Sequence, residues 1–243
     1  MARDTALQAR AAKTSETVFS VYSWERPTLS FGRHQSATGL YDLERIHAAG
    51  VDVVRRPTGG RAILHNREVT YSVTAPLDDA EPLREAYSRI NRILLEGLAR
   101  LGVDAALANS SGRAAAPSAR PCFEMPGEGE LVAGGAKLVG SAQWRDGGAL
   151  LQHGSILVED DQSSLPSLTS GALNESLGSI AQPATLAALL GRAPDAAEVA
   201  GAMFDAVRSL EDSDAAELDE DEIRAQALKH VPRFLDKEWT WRR

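Results

Sequence analysis

Glu130–Val158, ELVAGGAKLVGSAQWRDGGALLQHGSILV, constrains this chain more than any other stretch, because two glycine turns divide it into three apolar, β-rich runs. Gly134-Gly135 separates the first pair of runs and Asp146-Gly147-Gly148 the second. Both are places where a tight hairpin requires positive φ, so the stretch predicts an antiparallel three-stranded meander. Its middle strand carries Lys137 beside Gly140-Ser141-Ala142, small residues that leave the backbone open to a neighbour. Its last strand presents Gln152-His153-Gly154-Ser155. Most lysines are solvated, and one in the middle of an apolar strand is unusual enough to suggest a site.

Upstream, MARDTALQARAA reads as a helix with Ala6, Leu7 and Ala11 as its apolar stripe. Thr17–Trp24 and Thr28–Gly32 read as strands broken at Arg26-Pro27, and Leu40–Ala49 as a short helix stopped by Gly50. Val51–Arg55 is a strand running into Arg56-Pro57-Thr58-Gly59-Gly60, with further strands at Arg61–Leu64 and Glu68–Thr74. Pro82 opens a helix in which Leu83, Tyr87, Ile90, Leu94, Leu98 and Leu101 keep helical spacing until Gly102. Val103–Leu107 is a further candidate strand, and the aperiodic 109–121 reads as a flexible loop delivering the chain to Cys122. Asp195 with Glu198 forms a capping box for a helix at Ala196–Leu210, and a second helix covers Asp221–His230. The expected fold is α/β of the α+β type: a mixed, largely antiparallel β-sheet flanked by helices. One domain spans 1–243 on this reading, with a helical C-terminal part from about residue 185.

Several function classes drop out. A hydrophobic content of 43% can fill a core, yet no run approaches the roughly 18 apolar residues of a membrane span, and no charged-then-apolar leader opens the chain. The expectation is a cytoplasmic protein without membrane partners. The single cysteine excludes an internal disulfide and a cysteine-based zinc site, and the five histidines show no metal-ligand spacing. A net charge of −8 argues against nucleic acid as a partner, although much of the acid is concentrated in Glu211–Glu222. The remainder is closer to neutral and leaves room for a local basic face.

The segment Arg55-Arg56-Pro57-Thr58-Gly59-Gly60-Arg61 offers cations and unobstructed backbone N–H groups together. That combination suits an anion, a phosphopantetheine phosphate or a carbonyl oxygen, and equally a plain Gly-Gly hairpin with solvated arginines. Cys122 follows a loop and Pro121 instead of lying in an apolar strand. It is either a small buried residue or a nucleophile; Lys137 beside it would balance the charge of the attacking thiolate. Attack on an acyl thioester exchanges one thioester for another and needs no ATP. His65 and His153 are each structural histidines or proton carriers.

Taken in order, RRPTGGRAILH at 55–65, TYSV at 70–73, CFE at 122–124, GAKLVGSAQWR at 135–145 and LLQHGSIL at 150–157 resemble the biotinyl/lipoyl protein ligase and octanoyltransferase superfamily. The resemblance is greatest to its cysteine-dependent octanoyltransferases. MARDTAL, SFGRHQ at 30–35 and EWTWRR near the C-terminus fit the same pattern. The resemblance implies one α/β domain holding an acyl chain beneath the arginine–glycine loop. It implies octanoyl transfer from acyl carrier protein to a lysine of a lipoyl domain or of the glycine-cleavage H protein. Cys122 then matches the acylated nucleophile and Lys137 the active-site lysine. Arg55 or Arg56 would hold the acidic donor. Arg56, Thr58, Gly59, Gly60 and His65 fall on the acyl-binding loop, and Gly140, Gln143 and His153 on strands lining the pocket. Related proteins carry a strand before the helix that matches MARDTAL, so the resemblance implies one edge strand fewer here. The segment Met125–Glu130 lacks the aromatic pair expected there, which leaves acyl length open. Arg61 stands where ATP-using ligases prefer a third glycine, which favours the transferase.

Two other readings compete. In a lipoate–protein ligase, lipoate and ATP give a lipoyl-adenylate held by Lys137, and Cys122 is a bystander; ATP is the cofactor only in that case. In a non-catalytic carrier-protein-binding module the fold outlasts the activity, against which the presence of both Cys122 and Lys137 speaks.

Overall fold

A computed structural model describes residues 1–77, 82–108, 122–123, 127, 129–171, 173 and 182–242. The loop expected at 109–121 lies outside these residues, as do Met125, Pro126 and Glu128. In chain order the first elements are α1 (Ala2–Thr14), β1 (Val18–Tyr22), β2 (Thr28–Phe31), α2 (Leu43–Ala48), β3 (Asp52–Arg55), β4 (Ile63–His65) and β5 (Glu68–Pro76). Next come α3 (Leu83–Arg100), β6 (Ala106–Leu107), β7 (Leu131–Ala133), β8 (Ala136–Asp146) and β9 (Ala149–Leu157). A 3-10 segment at Gln162–Leu168 leads to α4 (Leu186–Leu190), α5 (Ala196–Leu210), α6 (Glu220–Ala227), α7 (Val231–Leu235) and α8 (Lys237–Trp241).

The meander forms as the glycines dictate. Gly147 and Gly148 both take positive φ, 57° and 78°, the pairing a two-residue hairpin requires. β7, β8 and β9 belong to a six-stranded sheet ordered β1-β5-β9-β8-β7-β6, antiparallel throughout. A separate three-stranded sheet, β3-β2-β4, holds the parallel pair β2–β3, joined across α2, and an antiparallel pair β2–β4. The mixed, largely antiparallel architecture flanked by helices is therefore present, with its parallel step confined to the small sheet.

β9 explains how one strand serves both core and site, since all nine of its residues are buried. Successive side chains point to opposite faces. Leu150 and Ile156 enter the main core with Val69, Tyr71 and Val73 of β5 and with Ile90, Leu94 and Leu98 of α3. Met203 and Val199 of α5 close that core from outside, and Asp195 caps α5 by accepting the Glu198 N–H at 2.8 Å. The alternate residues His153 and Ser155 face the cleft between the two sheets. α1 crosses this side, burying Ala6, Leu7 and Ala11 as predicted. Gln8 of α1 donates to the Ala149 carbonyl at 3.1 Å, which ties the helix to the start of β9.

A second core under the small sheet gathers Leu29, Phe31, Ile46, Leu64, Leu165 and Leu168. Arg55, at the end of β3, joins this unit to the C-terminal helices. It is fully buried, and its guanidinium donates to the carbonyls of Trp239 (3.0 Å), Thr240 (3.0 Å), Gly32 (2.6 Å), Gln35 (2.7 Å) and Arg242 (3.0 Å). In return the Trp239 indole N–H donates to the Arg55 carbonyl at 3.0 Å. Burial, followed by repulsion from Arg242 and Arg56, brings the Arg55 pKa down to about 10. The expectation that Arg55 binds donor or substrate is corrected here: carbonyls at the end of α8 and after β2 already take its N–H groups.

Candidate active site

Cys122 and Lys137 meet at the edge of the cleft between the sheets. The Lys137 ammonium has three N–H groups. They find three acceptors: the Cys122 carbonyl at 2.8 Å, the Cys122 Sγ at 3.4 Å and the Glu130 Oε1 at 2.7 Å. Lys137 is only 3% exposed. Burial alone would depress its pKa, but Cys122 and Glu130 outweigh that and raise it. The lysine therefore stays cationic and oriented, with its charge directed at the sulfur. The Phe123 ring adds a cation–π contact, 5.0 Å from Nζ.

Glu130 is the partner that sequence reasoning missed. Its Oε2 accepts the Gly127 N–H at 2.6 Å, so both carboxylate oxygens are engaged. A buried lysine requires a counter-charge. The Gly134-Gly135 hairpin returns the chain past Glu130, and that was the available signal. The irregular register between Leu131 and Val132 hid it.

The cleft beside the cysteine is lined by Arg56, Gly60, Ile63, His65, Gly140 and His153 among others, with about 350 Å³ of empty space including its open mouth. Its floor is made of the cross-strand pairs Gly140–Ser155 and Ala142–His153. A Cβ on Gly140 would lie 3.3 Å from Cys122 Sγ and 3.0 Å from the Phe123 ring, so glycine is what lets the sulfur sit on the strand. Ile63, Phe123 and Leu157 form a small apolar cluster packed against Cys122.

Arg56 is buried and donates to the Ser30 carbonyl (2.9 Å), Ser30 Oγ (2.6 Å), the Gly59 carbonyl (3.3 Å) and the Arg61 carbonyl (2.7 Å). Burial lowers its pKa to about 10, opposed by Cys122 and Glu68, and it lines the cleft as a cation. The picture of solvated arginines on a hairpin does not hold for either Arg55 or Arg56. Thr58 is fully buried, and its hydroxyl meets His153 Nε2 at 2.7 Å, bridging the two sheets. His153 Nδ1 faces Asp4 Oδ2 of α1 at 3.2 Å, and Tyr22 donates to the same oxygen at 3.0 Å. His65 has the matching arrangement: Nε2 to Ser30 Oγ at 2.6 Å, Nδ1 to Glu68 Oε1 at 2.6 Å, and the Trp24 ring stacked 4.2 Å away. Gly59 and Gly60 close the loop above Arg56. Gln143 stands apart from the cleft-lining residues and pairs with the Gln152 amide at 2.8 Å. Asp4 and Ser30 lie in stretches the sequence singles out, MARDTAL and SFGRHQ, and Glu68 in none, but only the fold shows that all three meet the two histidines. Among the described residues no group of three or more His, Cys, Asp or Glu side chains is placed to hold a metal.

The His153 environment has a measurable consequence. Burial, with Arg56 acting in the same direction, lowers its pKa below the ordinary value of 6.5, and Asp4 only partly offsets this. An unfolded chain then takes up this proton more readily than the folded one. Stability is complete above about pH 6.5 and is lost as pH falls through the depressed folded value. Urea midpoints measured between pH 7.5 and 5.5 should decline for the wild type and decline less for His153→Gln. Equal slopes would remove His153 as the cause.

Comparison with known proteins agrees with this architecture. A model of the lipoyl protein ligase A/B catalytic domain matches residues 1–208. The chain is 47% identical over 154 residues to an octanoyltransferase LipM from Kyrpidia tusciae, an alignment taking in 60% of this chain and 56% of the relative. It is 42% identical over 181 residues to an octanoyltransferase LipM from Moorella thermoacetica, covering 70% of this chain and 65% of that one. The chain thus spans less than two thirds of the length of these curated relatives. Its fold superimposes on a bi-partite lipoate protein ligase from Thermoplasma acidophilum, described with its E2 lipoyl domain, at a TM-score of 0.78. That match has 19% identity and covers 99% of this chain and 89% of the other. On the match across residues 1–208 and the shared fold, the chain belongs to the lipoyl protein ligase A/B catalytic domain family.

Proposed function

We propose that the chain works as one catalytic domain, an octanoyltransferase that carries its acyl group on Cys122. The observation that supports this best is the Lys137 ammonium 3.4 Å from Cys122 Sγ, locked by Glu130 and by the cysteine's own carbonyl. A ligase that activates its acid with ATP has no need of a sulfur in that position. The likeness to proteins named octanoyltransferases, at 41–47% identity, points the same way.

In the first step the Cys122 sulfur attacks the carbonyl carbon of octanoyl-acyl carrier protein. A new C–S bond forms, the C–S bond to phosphopantetheine breaks, and the carrier leaves as its thiol with the proton given up by Cys122. Lys137 faces the sulfur as charge develops and is within reach of the carbonyl oxygen of the tetrahedral intermediate. In the second step the neutral ε-amine of a lysine on a lipoyl domain or the glycine-cleavage H protein attacks the acyl-enzyme. The C–N bond forms, the Cys122 sulfur leaves, and the amine proton returns to the thiolate. Ile63, Phe123 and Leu157 offer the apolar wall an alkyl chain requires, worth about 0.8 kcal/mol for each methylene buried. Arg56, Thr58, Gly59, Gly60, His65, Gly140 and His153 form the surrounding loop and floor. No helix of the described residues is long and apolar enough to cross a membrane. Carrier and acceptor of these kinds place the reaction in the cytoplasm on this reading.

Intact-protein mass spectrometry tests the reading. Mixed with octanoyl-acyl carrier protein and no ATP, the protein should gain one octanoyl increment that hydroxylamine removes. No increment, together with turnover once lipoate and ATP are supplied, would replace the transferase by a ligase. No activity under either condition would favour a binding module.

A further inference from the structure

We propose that Arg33, Arg233 and Arg242, grouped around Trp239 and Trp144, form the docking surface for the acidic carrier protein that delivers the acyl group. This rests on the transferase reading above and adds to it the place where the donor binds.

The cluster is built of alternating cations and indoles. The Arg33 guanidinium lies 3.9 Å from the Trp144 ring centre and 5.8 Å from that of Trp239. Arg233 and Arg242 approach the Trp239 ring to 3.9 Å and 4.1 Å. Three guanidinium groups thus share one small area of a chain whose net charge is −8. Ion pairs elsewhere neutralise other arginines, as in Arg3–Glu220, Arg10–Glu16 and Arg67–Asp161, and among the described residues none of these three has such a partner. Burial and then their mutual repulsion lower the pKa of Arg233, with Arg33 and Arg242 both contributing against an opposing Asp146, and that of Arg242, with Arg33 contributing. Among the described residues Asp146 is the one carboxylate that offsets this repulsion at Arg233, and it does so only in part, so an acidic partner relieves the remaining cost on binding.

Position supports the same assignment. The Arg33 backbone N–H donates to the Thr58 carbonyl at 2.7 Å, so the cluster abuts the loop over the cleft. Trp144 lies on β8 on the same face as Ala142 and Gly140. Four residues at a strand rise of about 3.3 Å separate Trp144 from Gly140 by about 13 Å. Gly140 is where a Cβ would touch Cys122 Sγ. A carrier protein seated on the arginines could therefore lay its linear prosthetic arm along this strand face, with its phosphate near the cations and its thioester near the sulfur. With the whole enzyme acidic, this surface is what allows an acidic donor to approach.

The test measures single-turnover loading of Cys122 by mass spectrometry, with octanoyl-acyl carrier protein and with octanoyl-pantetheine as alternative donors. Arg233→Glu/Arg242→Glu should slow loading from the carrier protein at least about tenfold, while loading from the small thioester is unchanged. Arg233→Gln/Arg242→Gln should give a smaller loss, and added salt should slow the wild type toward the variants. Unaltered loading from the carrier protein overturns the proposal. So does an equal loss with both donors, or a loss confined to transfer from the acyl-enzyme to the acceptor, which would make the surface the acceptor's. A wild-type protein that loads from neither donor refutes the transferase reading itself, and the docking proposal with it.

Discussion

Cys122→Ala is expected to abolish ATP-independent octanoyl transfer, lowering turnover by about a thousandfold or more, with the fold intact. The substitution removes one sulfur from a half-buried position beside Phe123 and Gly140, leaving a small void worth about 1 kcal/mol. What is lost is the covalent intermediate, and no neighbour can replace it: the Lys137 ammonium is held by Glu130 and the Cys122 carbonyl, and Ser155 faces His65 Nδ1 at 3.4 Å. A transfer assay without ATP and a thermal melt on the same preparation separate chemistry from stability. Full activity of the variant with lipoate and ATP would sink the cysteine mechanism.

Gly154→Val is expected to have a large effect on stability. A Cβ at this position would lie 2.4 Å from the Gly140 carbonyl oxygen, 2.7 Å from the Tyr71 ring and 2.9 Å from Ser141 Oγ. The first of these is backbone of the neighbouring strand and has no rotamer with which to retreat, so β8 and β9 must separate. The expected loss is about 3 kcal/mol, a fall in Tm of roughly 6–12 °C for a domain of this size. Gly201→Ala in α5 is the control, because a Cβ there meets nothing within 4 Å. A melt of Gly154→Val that matches the control would show that the sheet accommodates the side chain.

The meander was legible because glycine pairs in hairpins leave few alternatives, and α5 because Asp195 and Glu198 announce its start. The pairing of Cys122 with Lys137 was legible as residue chemistry, although its distance was not. Division into two sheets was hidden, since the parallel pair β2–β3 depends on a crossover through α2 and not on any local pattern. Arg55 and Arg56 are adjacent and identical in type. Only the folded chain reveals that Arg55 serves carbonyls near residue 240 while Arg56 faces the cleft. Asp4 and Glu68 were unreadable for a related reason: burial gives a carboxylate its meaning, and the partners His153 and His65 reach them only through strand register and helix packing.

The Arg55 clamp also imposes a schedule on synthesis. Its acceptors on Trp239, Thr240 and Arg242 follow it by 184, 185 and 187 residues, so on the ribosome the guanidinium waits until those residues have been made. Until then water, and not the C-terminal helix, meets those N–H groups, so the small sheet lacks the contacts that pin it to α8. The strands of the large sheet, by contrast, are all complete by Leu157. The contacts that hold the two walls of the cleft therefore become available at different times: those of the large sheet by Leu157, and those that fix the end of β3 only once α8 has emerged. A nascent chain stalled short of α8 would leave the end of β3 unclamped.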